Sequence, residues 1–491
     1  MASRTERGVV AAGHPVTAEA GARVLREGGN AVDAALAAML TSFVTEALLT
    51  GLGAGGYMLV AGDGVEPVLL DFFVQAPTRR SDGSEAELHA VDVSFGDAVQ
   101  VFHIGPASCG AYGNPAGVRA AAERWGSVPL ADLAAPAARL ADEGVPLNAG
   151  QAYVAEILTG LLTSTPECAA LWAPDGRVPR EGETIRNPDL AEALARLGED
   201  GDEPFYRGDV AADVCEWLAA RGGSLGPADL AGYDAIEREP VRVFYRGREI
   251  LTNPPPSAGG VLLAYSLGLL DRGPSPPTIR GTVEAMAAAQ AERGAEFLDG
   301  LSEPGFLERF ISSRLGSTTH ISVIDARGMA CAVTCTNGEG SGVVVPGTGI
   351  HLNNVMGEED LNPLGFHLHP AGRRMPSMMA PSIVMRDGEV ELVLGSAGSN
   401  RIRSALLQTI VAVVDRGADA EEAVRAPRMH FEDGVVYAEP GIDLDELDPG
   451  LQAVRFGGRN LFFGGVQAAL SRDGTLSGAG DPRRGGAAVL A

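Results

Sequence analysis

From Asn30 to Val44 the chain offers one long helix with almost no face left for water. Val32, Leu36, Met39, Leu40, Phe43 and Val44 cover it, and alanines fill the remaining positions. A helix apolar nearly all round belongs in an interior, so the fold must have layers that enclose it. Asn30 stands as its N-cap, with Asp33 three residues on in capping-box position. Ahead of it, residues 17–29 (TAEAGARVLREGG) read as a helix with Ala20, Val24 and Leu25 on one face and glycines at its end. Behind it come GLGAGG (Gly51–Gly56), then YMLVAG and VEPVLLDFFV, which read as strands.

Gly51–Gly56 formally matches the dinucleotide fingerprint GxGxxG. That mechanism needs a strand, then glycines, then a helix facing pyrophosphate. Here the order is helix, glycines, strand, and the nucleotide reading is set aside. The middle third is helical and Ala-rich, with breaks at Asn253-Pro-Pro-Pro256, followed by Gly259-Gly260, and at Gly273-Pro-Ser-Pro-Pro277. A helix is expected over about 282–298, and Leu301 to Ser317 lacks sustained periodicity. From Thr318 the chain alternates: TTHISVID, a turn at DARG, then MACAVTCT, a hairpin signal. Later EVELVLG meets Gly395–Asn400 and a periodic helix that ends near Gly417. Strands early, helices in the centre and strands again suit layered sheets with helices outside.

Composition narrows the partners. The formal net charge is −26, from 64 acidic residues against 38 basic ones, all of them Arg. Phosphate backbones and anionic membrane surfaces should repel such a chain, so the expected partner is a small molecule, not nucleic acid or membrane. Cys109, Cys168, Cys215, Cys331 and Cys335 form no CxxC pair, which indicates neither a disulfide framework nor a zinc ribbon. The N-terminal stretch has no apolar signal core, and no window is apolar over the ~18 residues of a membrane span. A cytoplasmic location is expected. His367 and His369 in FHLHP are read as loop residues, since no further ligand cluster supports a metal site.

Two segments can carry chemistry. A hairpin turn centred on Ala326-Arg327 sets Thr318 opposite Cys335, with Thr336 beside it. Paired threonines on strands are usually cross-strand packing. At Gly398 and Ser399, however, a glycine-rich turn feeds a helix N-terminus, where backbone N–H groups and the helix dipole can stabilise an oxyanion.

With their flanks these pieces resemble the γ-glutamyltransferase family of N-terminal-nucleophile hydrolases. The resemblance covers nearly the whole chain: GVVAAGHPVTAEAGARVLREGGNAVDAALA, GLGAGGYMLV, NPPPSAGG, TTHISVID with VTCTN, GSGVVVPGTGIHLNN, SMMAPSIV and GSAGSNRI. It implies an α+β fold, the four-layered αββα sandwich, and a precursor that cleaves itself between Ser317 and Thr318. The products would be a large fragment, 1–317, and a small one, 318–491, intertwined as one structural domain. The freed α-amine of Thr318, with an ordinary pKa of about 7.7–8, would be the general base for its own hydroxyl. Thr336 matches the family's second threonine, which hydrogen-bonds the nucleophile. Gly398 and Ser399 match its oxyanion-hole glycine pair, the second glycine having become Ser. No metal or organic cofactor is implied.

The donor-binding positions depart from the family. Its Asp-Phe-Arg-Glu-x-Ala-Pro motif reads DFFVQAP here, so Phe73 stands where an Arg grips the α-carboxylate. Phe cannot make a bidentate clamp. Val355 and Glu358 stand where Gln and Asp hold the α-amino group, and Ser377 and Met378 replace a pair of serines. A shorter loop after Thr336 leaves the match of Asn337 to a donor-binding Asn open. Arg79, Arg80, Arg373 and Arg374 are read as solvated surface residues. Glu358-Glu359-Asp360 is read as a solvated acidic loop, with Glu358 available to an amine. A site without partners for a zwitterionic end discriminates against it strongly. The expected activity is therefore hydrolysis or acyl transfer on a small molecule other than glutathione, through a covalent Thr318 intermediate. One branch of the family hydrolyses a carbon–carbon bond in pathways to alkylated proline units of antibiotics, and such a substrate would suit this pocket. The alternatives are a conventional γ-glutamyl enzyme with a rebuilt carboxylate site and a catalytically silent binding protein on the same scaffold.

Overall fold

The capped helix forms where its residues demand it. In the computed structural model, which describes residues 6–78, 88–94, 99–291, 318–362 and 365–491, helices α1 (Pro15–Glu27) and α2 (Ala31–Thr45) run in succession. The Asn30 side chain accepts from the N–H groups of Val32 and Asp33, and the Asp33 carboxylate accepts from the Asn30 N–H at 2.9 Å. All residues of α2 but Val44 are buried. Of the helix expected over 282–298, the structure describes Ile279–Ala291; residues 292–298, like Leu301–Ser317, fall outside the described residues.

Two sheets receive these helices. The strands are β1 (Gly8–Ala12), β2 (Gly55–Gly62), β3 (Val65–Phe72), β4 (Ile236–Arg238), β5 (Val241–Tyr245), β6 (Arg248–Thr252), β7 (Thr319–Asp325), β8 (Ala330–Thr336), β9 (Ser382–Arg386), β10 (Glu389–Ala397), β11 (Gly465–Arg472), β12 (Thr475–Gly480) and β13 (Ala487–Leu490). One sheet has the order β13-β1-β7-β8-β2-β3-β4 and the other β12-β11-β10-β9-β6-β5. Three apolar layers alternate with them. Leu36, Leu40 and Phe43 of α2 meet Ile321, Val323, Cys331 and Val333 of the first sheet. Ile324 and Ala332 meet Ile383 and Val393 of the second across the gap between sheets. Leu392 and Leu394 meet Leu263 and Leu267 of α3 (Ala258–Asp271) and Ile410 of α4 (Arg401–Arg416) on the far side. Each strand thus sends alternate residues into different layers, and the fold is the α+β, four-layered αββα sandwich. All five cysteines are free and buried, Cys331 and Cys335 as packing groups under α2. Among the described residues, no helix is long and apolar enough to cross a membrane.

The central hairpin corrects one expectation. Its register pairs Thr319 with Cys335 and Ile321 with Val333, so Thr318 continues the ladder opposite Thr336 rather than Cys335. The turn holds one residue more than expected: Asp325 N–H donates to Met329 O at 3.0 Å across a three-residue loop. Gly328 in that loop takes φ +86°, the left-handed position such loops require.

Between the sheets His320 is a satisfied core group. Its Nδ1 lies 2.7 Å from Thr334 Oγ1 and its Nε2 2.9 Å from Ser322 Oγ, which donates to Gln467 O of the second sheet at 3.0 Å. Burial lowers its pKa to about 3, so the imidazole is neutral. Its ring fills the space a side chain on Gly395 would need. Gly395→Ala should therefore destabilise the protein by about 1–3 kcal/mol through overpacking, measured by denaturant unfolding of the purified protein.

Candidate active site

Thr318 sits where β7 begins, at an end of the sandwich, and is 1% exposed. Its Oγ1 is buried and makes no hydrogen bond. Buried hydroxyls are normally paired, so an orphaned one next to a second hydroxyl marks a place where an incoming atom is expected. That second hydroxyl, Thr336 Oγ1, accepts from the Gly338 N–H at 2.8 Å. Gly338 has φ +66°, and a side chain there would overlap Glu358 Oε1 and Asn354 Oδ1. Only glycine lets these polar groups crowd the turn. Asn337, just before it, is fully buried, and neither end of its side-chain amide has a partner. Thr318, Thr336, Asn337 and Glu358 therefore gather at one end of β7 and β8. Glu358 is 5% exposed and is not the solvated loop residue expected, because the Gly338 turn packs on it; Glu359 is exposed.

The glycine-rich turn lies between β10 and the 16-residue helix α4. Gly398 has φ +116° and Ser399 φ +61°. A left-handed Ser costs about 1–2 kcal/mol relative to Gly, strain of the kind kept at working sites. A side chain on Gly398 would run into the backbone of Gly464, so only glycine fits there.

The remaining positions expected to touch substrate take a different course. Phe73 and Val355 are fully buried in the apolar layer between the sheets, with Met375 and Met379, and the Phe73 ring stacks on Tyr57 at 5.6 Å. Ser377 Oγ accepts from the Met379 N–H at 3.0 Å. Ser377 O receives the Ala258 N–H at 2.7 Å, and the Met378 carbonyl presses on Gly259 at the start of α3. Of the four arginines read as solvated, Arg373 is exposed and Arg374 is not. Arg374 is 5% exposed, donates to Gln75 Oε1 at 3.0 Å, lies 3.5 Å from the Asp71 carboxylate and covers the Tyr233 ring. These partners hold it in place and away from solvent. Arg79, Arg80 and Ser317 lie outside the described residues. His369 Nε2 lies 3.1 Å from Arg374 O, and among the described residues no three His, Cys, Asp or Glu gather at metal-ligand spacing.

Two groups escaped the sequence reading. Glu46 follows α2, and its carboxylate accepts from Thr319 Oγ1 at 2.5 Å and from Thr17 Oγ1 at 3.2 Å. Gly13 leaves room for it, since a side chain there would overlap Glu46 Oε2. A charge at the end of an otherwise apolar buried helix was the available signal. Arg484, from DPRRGG, places Nη2 3.6 Å from where a Gly398 Cβ would stand. Nothing in its spacing pointed to the site.

A family model described as Gamma-glutamyltranspeptidase matches residues 17–317 and 307–491. The chain belongs to the gamma-glutamyltranspeptidase family. It is 30% identical to the glutathione hydrolase proenzyme of Bacillus subtilis (strain 168) over 98% of this chain and 91% of that one. It is 31% identical to the Acylase ACY 1 proenzyme of Pseudomonas sp. (strain SE83), over 98% and 93%. The crystal structure of cephalosporin acylase from Bacillus halodurans superposes with a TM-score of 0.84 at 25% identity, covering 99% of this chain and 96% of that one. As a gamma-glutamyltranspeptidase-family chain it is an enzyme of hydrolase and acyltransferase type.

Glu46 makes this end of the sandwich pH-sensitive. Burial raises its pKa from 4.5 to about 7, against the opposing pull of its bonds from Thr319 and Thr17 and of the Arg484 cation. A carboxyl group that holds its proton more tightly when folded adds stability at low pH. That stability is lost as the pH rises from about 4.5 to about 7. Glu46→Gln should remove this loss, on the order of 3 kcal/mol, from a stability profile measured by chemical denaturation across that range.

Proposed function

We propose that this chain is an autoprocessed threonine-nucleophile hydrolase or acyltransferase acting on a small molecule other than glutathione. The observation that carries the reading is the buried, unbonded Thr318 Oγ1 beside Thr336, in a family member. In maturation Thr318 Oγ adds to the Ser317 carbonyl, the peptide C–N bond breaks, and the acyl group passes from nitrogen to oxygen. Water then hydrolyses the ester, leaving a carboxylate on Ser317 and a free α-amine on Thr318. The products are fragments 1–317 and 318–491. In turnover that amine takes the Oγ proton as Oγ adds to the substrate carbonyl. The amides of Gly398 and Ser399 receive the oxyanion, and Thr336 steers the hydroxyl. The proton passes to the leaving group as its bond breaks, and water or an amine then releases the acyl group from Thr318. An amide bond and an activated carbon–carbon bond both fit this scheme, the latter being the bond of an alkylproline-type antibiotic precursor. The B. subtilis and Pseudomonas relatives are both named as proenzymes, which supports the maturation step.

Substrate choice follows from the donor side. Phe73 and Val355 are committed to the inter-sheet core and Met378 is fully buried, which leaves Asn337, Glu358 and Ser377 as the polar groups expected to face substrate. A second reading, a conventional γ-glutamyl enzyme, draws on the relatives named glutathione hydrolase. Turnover of γ-glutamyl-p-nitroanilide separates the two, and kcat/KM is expected at least 100-fold below that of a glutathione hydrolase assayed alongside.

Maturation is tested directly. Intact mass of the wild-type protein should give two fragments meeting at Ser317/Thr318, and Thr318→Ala should stay whole and inactive. An active wild type that remains a single chain would sink the mechanism.

A further inference from the structure

Asn337 and Glu358 approach the β7 terminus from the β8 side. On the other side, where β1 and α2 end, lies a separate cavity of about 80 Å3. Thr319 and Ala397 both line it. The first follows Thr318 in the chain and the second precedes Gly398, so the cavity adjoins the proposed nucleophile and the proposed oxyanion turn without being lined by either. Its walls are mostly apolar, with Leu48 beyond α2, Leu147, Val154 of the helix Ala149–Ile157, Leu171 and Trp172, and Gln151, Asn187 and Gln467 among the polar remainder. An apolar chamber beside a polar reacting centre is the usual make-up of a small-molecule site.

Arg484 stands at the junction of this cavity and the turn. Its Nε is buried without a hydrogen-bond partner, and its Nη2 donates only weakly, to Leu461 O at 3.4 Å. Among the described residues no carboxylate lies within ion-pair distance of it, whereas its neighbour Arg483 is paired with both Glu439 and Asp481. Burial pulls its pKa down to about 10, so it stays cationic at neutral pH. The carboxylate lining the cavity, Glu46, is already bonded to two threonines, and Glu339, Asp481 and Glu46 act on Arg484 through space without a direct ion pair. A guanidinium with spare donors seeks an anion with matching acceptors.

We propose that this cavity binds an apolar alkyl or aryl arm of the substrate and that Arg484 binds a carboxylate carried on that arm. The arm reaches the reacting centre from the side opposite Asn337. This supplies an anion-binding arginine on the far side of Thr318 from the position now held by Phe73. The proposal deepens the function given above and rests on Thr318 being the nucleophile.

Straight-chain carboxylates from butanoate to octanoate, titrated calorimetrically into the wild-type protein, test it without turnover. Kd should fall about three- to fourfold for each added CH2 while the cavity fills. Val154→Trp, or the milder Val154→Met should the first not fold, should flatten that dependence. Arg484→Gln should weaken the carboxylates about tenfold or more and leave the matching primary alcohols unchanged. Affinity independent of chain length, or chain-length dependence untouched by filling the cavity, would overturn the cavity assignment. Equal weakening of acids and alcohols would overturn the role of Arg484. Either result in a protein cleaved at Ser317/Thr318 leaves the nucleophile standing, while an active uncleaved chain removes Thr318 regardless of the titrations.

Discussion

The register between β7 and β8 is the constraint on which the rest depends. These strands lie at the centre of the first sheet, and both of their faces are buried. Ile321, Val323, Cys331 and Val333 must go under α2, while Ile324 and Ala332 must go between the sheets. A slip of one residue would exchange the two sets and push His320 into the helical layer. Burial on both sides therefore fixes which residues end the strands. Thr318 and Thr336 meet there because packing along the whole hairpin leaves no other pairing.

Around that fixed point the two sides differ in chemistry. The β8 side keeps amides and a carboxyl group at Asn337, Asn354 and Glu358, held close by a glycine turn. On the same side Phe73 stacks on Tyr57 and Val355 lies among methionines in the inter-sheet packing, where neither can grip a zwitterion. The β1 side pairs a largely apolar chamber with the buried Arg484 guanidinium.

Much of this was legible in the order of residues. The capping box at Asn30, the all-apolar helix, the alternation from Thr319 to Thr336 and the turn at Gly398 rest on local rules, and each element formed. Register was missed by one residue because a three-residue loop and a two-residue loop look alike until Gly328 takes its left-handed conformation. Burial of the charged residues was harder to read. Arg374 and Glu358 sit in segments that look like surface loops, and only distant partners, Asp71, Tyr233 and Gly338, draw them inward. Glu46 and Arg484 come from opposite ends of the chain, and the sandwich brings them to one cavity.

The chain ends are neighbours too. β1 lies between β13 and β7, the Arg7 N–H donates to Ala491 O at 2.7 Å, and the Ala491 N–H donates to Gly8 O at 2.9 Å. A strand from before Ser317 is thus clasped by two from after Thr318, so the proposed cleavage would leave both halves locked in one sheet. The same proximity allows the chain to be rewired. A gene placing codon 318 directly after the initiator Met and bridging residue 491 to residue 6 through a short linker would expose the threonine amine on ordinary removal of that Met, without any self-cleavage.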